Sequence, residues 1–504
     1  MEQKNGSQTI TVEQLLDTVK QVNPEADLDL LRLAYEFADE AHAEQKRKSG
    51  EPYIHHPLHT AYTLAMWGLD DTTIAAGILH DVPEDTKKTL KDIEKEFGKE
   101  IRDLVEGVTK LGLLKYRGMR RYLENLRRMF VAMAKDIRVI LIKFADRLHN
   151  IQTLSSLPAS KQKRIALETL EIYAPIANRL GMGELKGQLE DAAFPFVLSK
   201  EHEWLLRLIK KRVADDRKCV KEMIGRLRTV LTQNSIKIWT IHGRAKHFYS
   251  LYLKLLEHNK DLSKIHDLVA IRIVVDTIAE CYTVLGLIHE EWRPLKGRIK
   301  DYIATSKPNG YQSLHTTVWG VDGKIVELQI RSRKMHEEAE YGIAAHWHYK
   351  EGMVRSKPLP PEQRTAWINQ LVRLQKEAKN ERDYLESLKL DIFQHRIFVF
   401  TPQGDVIDLP GNSTPVDFAY HIHTEVGNKC SGAKVNDSIA SLDTKLKSGD
   451  VVSIFTDKNR KGPSEDWLKF VKTNTARDRI RSFTRNHRLN LNNIIRNLIG
   501  RQAK

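Results

Sequence analysis

Cysteine is scarce. The chain of 504 residues has three, Cys219, Cys281 and Cys430, far apart and with no CxxC pair. That argues against a disulfide framework and a zinc knuckle, and it fits a reducing, cytoplasmic setting. No apolar run is long enough to span a bilayer, so no membrane partner is expected. The opening residues, MEQKNGSQTI, carry no apolar stretch of the secretion-signal kind. No polar low-complexity tract argues for disorder. Neither GxxxxGK[ST] nor GxGxxG occurs, so neither the P-loop nor the dinucleotide-binding phosphate cradle is supported.

Positive charge is what the chain has in excess. Lys and Arg number 81 against 66 Asp and Glu, a net charge of +15. A basic surface is either simply solvated or meets a polyanion such as a nucleotide, RNA or a ribosome, and charge alone does not separate these. The length suggests about three domains. A hydrophobic content of 41% is ample for packed cores.

Residues 11–196 read as helices. Leu30, Leu33, Ala34 and Phe37 recur at helical spacing, and further helical patterns cover 57–67, 72–79, 90–97, 122–134, 138–150 and 161–178. Within them lie His56, His80-Asp81 and Asp146. Imidazole and carboxylate together suit a divalent transition ion such as Mn²⁺, Fe²⁺ or Zn²⁺. Such an ion lowers the pKa of a bound water. Glu84 and Asp85 follow His80 and Asp81 by one turn, on one face if the helix is continuous. Pro83 argues for a break there, because proline disfavours helical geometry at Val82 and removes an N–H. A His-Asp dipeptide alone is usually structural; the complete set is the stronger signal.

Residues 197–235 are basic and helical and read as packing between domains. From Ser235 the pattern mixes strand and helix: strands at 236–242 and 267–275, a loop turning to helix over 243–257, and helices at 279–292 and 335–349. Between the last two, Asp322-Gly323 marks a hairpin turn. In its second strand Val326, Leu328 and Ile330 point one way and Glu327, Gln329 and Arg331 the other. Upstream stand Arg298, Lys300, Lys307, Tyr311 and His315. Cations for phosphate, an aromatic for a base and a carboxylate for a metal or proton suit nucleotide chemistry. A solvated charged hairpin is the plainer alternative. A turn-rich linker, KPLPPE, then leads to helices at 363–379 and 381–391, a small β domain to about Thr456 and a basic helical tail.

GRAKHFYS, DLVAIRIVV, GRIKDYIATSKPNGYQSLHTTV, VELQIRS and EYGIAAHWHYKEG resemble, in order, the synthetase domain of the RelA/SpoT homologue family. YIHHP, ILHDVPEDT and KFADRLHNIQTL are similar to its HD-type hydrolase domain, and the segment from RIFVFTPQGD onward to its TGS domain. The resemblance implies a multidomain fold. An all-α HD-type hydrolase domain would occupy 1–196 and a helical linker 197–235. An α+β nucleotidyltransferase-like synthetase domain with trailing helices would span 236–392, a β-grasp TGS domain 393–457 and a basic helical tail 458–504. Long members continue into further domains that this sequence does not include.

The implied chemistry is the making and breaking of the alarmone (p)ppGpp. ATP would give its β,γ-pyrophosphate to the 3′-OH of GDP or GTP, and the hydrolase would remove that pyrophosphate. By the match, His56 (the histidine directly before proline, chosen over His55), His80, Asp81 and Asp146 bind Mn²⁺, and Glu84 and Asp85 position or activate the water. Arg47, Lys48, Ser49, Asn150 and Thr153 would contact nucleotide. Asp267 and Glu327 would bind Mg²⁺, with Glu327 also a candidate base. Arg244 and Arg272 would flank adenine, while Lys246, Ser250, Lys254 and Lys307 would hold phosphates. Tyr311 would stack on guanine near Asn309, Gln329 and His315. Arg298-Ile-Lys-Asp301 matches the motif form, including Lys300, that goes with bifunctional members. Ala245 replaces a usual proline, and Pro83 stands where another residue is usual. Deacylated tRNA on the ribosome would be the TGS partner, with His421 or His423 as the RNA contact. Three readings stay open here: a bifunctional enzyme, a synthetase alone, and a ribosome- or tRNA-binding regulator with impaired hydrolysis.

Overall fold

The computed structural model describes residues 10–112, 128–129, 131–133, 135–265, 268–307, 309–346, 396–403, 406–447, 450–460, 462–473 and 475–485. The expected helix over 122–134 lies largely outside them, as do both helices expected between 363 and 391 and the tail beyond 485. The chain divides into two compact units, 1–376 and 377–504.

The first unit begins with helices. Thr11 and Gln14 form a capping box that opens α1 (Val12–Val22), and the Asp27 carboxylate caps α2 (Leu28–His42). Next come α3 (His55–Met66), α4 (Asp71–Leu79), α5 (Val82–Asp85) and α6 (Leu90–Gly112), which bends at Gly98 where φ is +82°. Ile74 to Leu79 of α4 are all buried, so this helix is central. It ends at Leu79, and α5 starts afresh after Asp81 with Pro83 in its first turn. Proline is suited to that position, where its missing N–H would have no helical partner. The alternative of one continuous helix is thus replaced by two. Ten residues of α7 (Arg138–Gln152) are buried. Then follow α8 (Ala159–Glu168), α9 (Ala174–Arg179) and α10 (Gly183–Val197).

The segment read from sequence as a linker is one long helix, α11 (Ser199–Gln233). Its Leu205, Ile209, Val220, Met223, Leu227 and Leu231 join the same hydrophobic core as the sheet that follows. That sheet is built from β1 (Ile238–Ala245), β2 (Val269–Val275), β3 (Lys300–Asp301), β4 (Leu314–Trp319) and β5 (Ile325–Ser332). Their order is β1-β2-β5-β4-β3; β2 and β5 are parallel, the other pairs antiparallel. Two helices accompany the first strands: α12 (Phe248–Glu257) and α13 (Ile278–Glu291), the latter opened by a Thr277–Glu280 capping box. The expected loop at 243 is instead the end of β1, which places Arg244 on a strand. Asp322 and Gly323 turn the β4–β5 hairpin with φ of +56° and +68°, as the dipeptide predicts. Val326, Leu328 and Ile330 face the core. The opposite face is less wet than a charged hairpin suggests: Gln329 and Arg331 are buried too. After β5, α14 (Arg333–Tyr341) stops at Gly342, φ +56°, shorter than the 335–349 read from periodicity.

In the second unit β6 (Arg396–Phe400) pairs with β7 (Val406–Pro410), and β10 (Val452–Thr456), β8 (Cys430–Val435) and β9 (Ser438–Ala440) form a second antiparallel sheet. A Thr414–Asp417 capping box starts α15 (Pro415–Ile422), and α16 (Thr424–Asn428) follows. The buried Asp417 carboxylate also accepts from the Lys472 and Thr473 N–H groups, 2.9 and 2.7 Å, and ties that segment to α15. All three cysteines are buried and free. No helix among the described residues is long and apolar enough to cross a membrane.

Candidate active sites

Three places in the helical part deliver the first polar cluster. His56 comes from the first turn of α3, His80 and Asp81 from the α4–α5 break, and Asp146 from the middle of α7. Ligand atoms of His56, His80 and Asp146 lie within 4.8 Å of one another. His56 Nε2 is 3.1 Å from Asp146 Oδ1 and 3.4 Å from Asp81 Oδ2, and His80 Nε2 is 3.1 Å from Asp81 Oδ1. All four expected ligands therefore converge.

The donor set fits a divalent ion. His80 Nδ1–H donates to the Gly77 carbonyl at 2.7 Å, which leaves Nε2 as the lone-pair nitrogen. That Nε2 is buried and has no hydrogen-bond partner among the described residues. Burial would raise the Asp81 and Asp146 carboxyls. Instead both lie below their ordinary values, Asp146 well below, with the Lys143 ammonium among the charges that hold them there. Lys143 Nζ lies 2.7 Å from Asp146 Oδ2. The cluster is thus anionic carboxylate and imidazole, the chemistry of a transition-ion site.

Glu84 and Asp85 sit beside it on α5. Burial pushes the Glu84 carboxyl up to about 7. The Tyr53 hydroxyl lies 2.6 Å from Asp85 Oδ2 and 3.0 Å from Asp81 Oδ2, bridging the acid pair to the ligands. Arg47 reaches Asn150 Oδ1 at 2.7 Å, Thr153 Oγ1 at 3.3 Å and His149 Nδ1 at 3.2 Å, so three of the five expected nucleotide contacts meet. Lys48 and Ser49 are exposed, and the Ser49 hydroxyl donates to Glu51.

A second polar cluster lies on the sheet face opposite the core. His315 Nδ1 is 3.3 Å from Glu327 Oε1, and the Gln329 amide donates to the same oxygen at 3.0 Å. The Tyr311 hydroxyl lies 2.8 Å from His315 Nε2. Lys307 sits over the rings of Tyr302 and Tyr311, 4.5 and 4.9 Å from their centroids. Asn309 turns the chain by accepting from the Tyr311 N–H, and Lys300 on β3 pairs in register with His315. Arg272 and Arg331 converge on Glu340 Oε1 at 2.7 and 3.0 Å. Burial and the neighbouring Arg331 push Arg272 down to about 10. Arg331 is 1% exposed. Asp267, the other expected Mg²⁺ ligand, lies outside the described residues.

Two of the remaining expected phosphate and adenine contacts meet α10. Arg244 is 3.8 Å from Glu184, and Ser250 donates to Glu190 at 3.3 Å. Lys254 follows Ser250 by one turn on α12, and the Lys246 N–H donates to the Leu268 carbonyl. In the second unit His421 and His423 are both exposed, and His423 Nδ1 accepts the Glu425 N–H as a helix cap.

Comparison with known proteins sets these two clusters in context. Residues 34–183 match the HD domain, 243–354 the region found in RelA/SpoT proteins, and 397–456 the TGS domain. The chain thus combines an HD domain, a RelA/SpoT region and a TGS domain, and its relatives carry RelA/SpoT-type names. A GTP pyrophosphokinase of Myxococcus xanthus is 47% identical over 471 residues, 92% of this chain and 62% of that protein. A protein of Mycobacterium tuberculosis named bifunctional (p)ppGpp synthase/hydrolase RelA is 46% identical over 94% of this chain and 64% of its own. A guanosine-3′,5′-bis(diphosphate) 3′-pyrophosphohydrolase of Aquifex aeolicus is 48% identical over 90% and 64%. The chain therefore spans less than two thirds of the length of these RelA/SpoT relatives.

Sequence reasoning missed Tyr53, Lys143 and His149 in the first cluster and Tyr302 and Glu340 in the second. Two of them were within reach. Lys143 and His149 each stand three residues from Asp146, a spacing that shares a helix face. Tyr53 and Glu340 come from loops and helices whose approach only the fold determines.

Proposed function

We propose that this chain is of the RelA/SpoT type and carries two opposed activities at separate sites. Residues 1–196 would hydrolyse (p)ppGpp, and 236–392 would make it from ATP and GDP or GTP. The observation that carries this reading is that the four metal-ligand candidates meet in one cluster, and Glu327, Gln329, His315 and Tyr311 in another built from different elements.

In hydrolysis, water adds to the phosphorus bound to the 3′ oxygen, the P–O bond breaks, and GDP or GTP and pyrophosphate leave. His56, His80, Asp81 and Asp146 would hold the ion, taken here as Mn²⁺. When bound, such an ion makes a water acidic enough to be hydroxide near neutral pH, about 7. Glu84, poised near neutrality by burial, is suited to pass a proton between water and the 3′ oxygen. Arg47, Asn150 and Thr153 form one donor-rich edge for the nucleotide.

In synthesis, the 3′ oxygen gives its proton to Glu327, attacks the β-phosphorus of ATP and displaces AMP. His315 and Gln329 orient the Glu327 carboxylate by their hydrogen bonds. Tyr311 offers a face for guanine, and Arg244 and Arg272 planar cations for adenine. Asp267 and Glu327 would hold Mg²⁺, which shields phosphate charge. Lys246, Ser250, Lys254 and Lys307 would bind phosphates. The exposed His421, and the outer nitrogen of His423, would meet RNA, with deacylated tRNA on the ribosome as the partner of the TGS domain and the cytoplasm as the location.

The test is a paired assay on the purified chain. ATP, GDP and Mg²⁺ should yield AMP and ppGpp; ppGpp and Mn²⁺ should yield GDP and pyrophosphate. Silence in both would shift the weight to an RNA-binding regulator.

A further inference from the structure

His149 lies one turn beyond Asp146 on α7 and is buried. It belongs to no group assigned above, yet it touches two of them. Its Nδ1 is 2.7 Å from His56 Nδ1 and 3.2 Å from Arg47 Nη1. A guanidinium has only N–H groups to offer, so the nitrogen facing it must present its lone pair. With His149 Nδ1 bare, the 2.7 Å contact requires the hydrogen to sit on His56 Nδ1. The neutral His56 ring is then bare at Nε2, the nitrogen that faces the Asp81 and Asp146 carboxylates. A lone pair set against two carboxylates is repulsive until a cation lies between them. The His149 ring also packs against two imidazoles of α3, with centroids 5.0 Å from His56 and 4.5 Å from His59.

We propose that His149 is a positioning residue for the metal: it fixes the tautomer and ring plane of His56, and Arg47 in turn fixes the tautomer of His149. The chain Arg47–His149–His56 links the nucleotide edge of the site to an ion ligand. The inference rests on the hydrolase reading of this cluster. Partners that orient a ligating histidine are worth about 10- to 100-fold in metal affinity.

The experiment titrates Mn²⁺ into nucleotide-free protein and follows binding by electron paramagnetic resonance. Four proteins are compared: wild type, His149→Phe, His149→Gln and Arg47→Met. His149→Phe should weaken Mn²⁺ binding roughly tenfold or more. His149→Gln, whose carbonyl can accept from His56 Nδ1–H, should recover most of that loss. Arg47→Met should also weaken binding, although it removes no ligand and no nucleotide is present. Far-ultraviolet circular dichroism checks folding; if His149→Phe does not fold, the Gln and Met variants decide. Wild-type affinity in His149→Phe, or equal losses in the Phe and Gln variants, would overturn the positioning role and leave the metal site standing. Absence of Mn²⁺ binding in wild type would overturn the site itself.

Discussion

His247 ties the expected ATP-binding loop to the helical part of the first unit, and the strength of that tie should depend on pH. It follows Lys246 and precedes α12. Its Nδ1 is 2.8 Å from Asp191 Oδ2 and its Nε2 3.5 Å from Glu184 Oε2. The two acids stand seven residues apart on α10, two turns along one face. Gly187 lies between them, and a Cβ there would run into the imidazole. Serving both carboxylates needs a hydrogen on each ring nitrogen, hence the imidazolium. Burial opposes that charge, but the hydrogen bonds to Asp191 and Glu184 outweigh it and raise His247 to about 9. Glu184 falls to about 2 through the same hydrogen bond, so the two shifts are one interaction and are not added. The step from an ordinary pKa of about 6.5 to about 9 corresponds to about 3 kcal/mol. Because the folded value is the higher one, this stability is present in full below about pH 6.5 and is lost as pH rises through about 9. The assay is the urea stability of wild type minus that of His247→Gln at steps from pH 6 to 10. Subtraction removes the titrations that both proteins share. The gap should shrink by about 3 kcal/mol across that range. A gap independent of pH, or an imidazole resonance of His247 that titrates near 6.5, would refute the reasoning.

Other outcomes separate the two sites. Asp81→Ala should abolish ppGpp hydrolysis and leave synthesis in place, and Glu327→Gln should do the reverse; loss of both activities in either variant would sink the two-site division. Tyr311→Ala should raise the KM for GDP by the ~1–3 kcal/mol that base stacking on an aromatic contributes, roughly 5- to 150-fold. An unchanged KM would place guanine elsewhere. Pro83→Val should leave the Mn²⁺-dependent hydrolysis rate within about threefold, since proline in a first helical turn forfeits no hydrogen bond. A large gain in rate would show that Pro83 displaces Glu84 and Asp85.

Much of this molecule was legible because its signals are local. Alternation along 325–331 sorted Val326, Leu328 and Ile330 to the core from period two alone. Asp322-Gly323 announced a turn because few residues other than glycine and its polar neighbours sit easily at positive φ. His56, His80, Asp81 and Asp146 could be named together because each lies in a short, distinctive segment.

What the sequence by itself determined is therefore the helical and mixed character of its parts, their order, and the residues of the two clusters. Only the tertiary structure decided which residues support those clusters. Arg47 meets Asn150 across 103 residues, His247 meets Asp191 across 56, and Arg272 meets Glu340 across 68. It likewise decided that α11 packs into the sheet's core, and that Arg331 is buried rather than wet. Periodicity and capping depend on neighbours a turn or a pleat away, which the chain carries with it everywhere. Long-range pairs depend on how packed layers close over one another, and no local pattern encodes that closure.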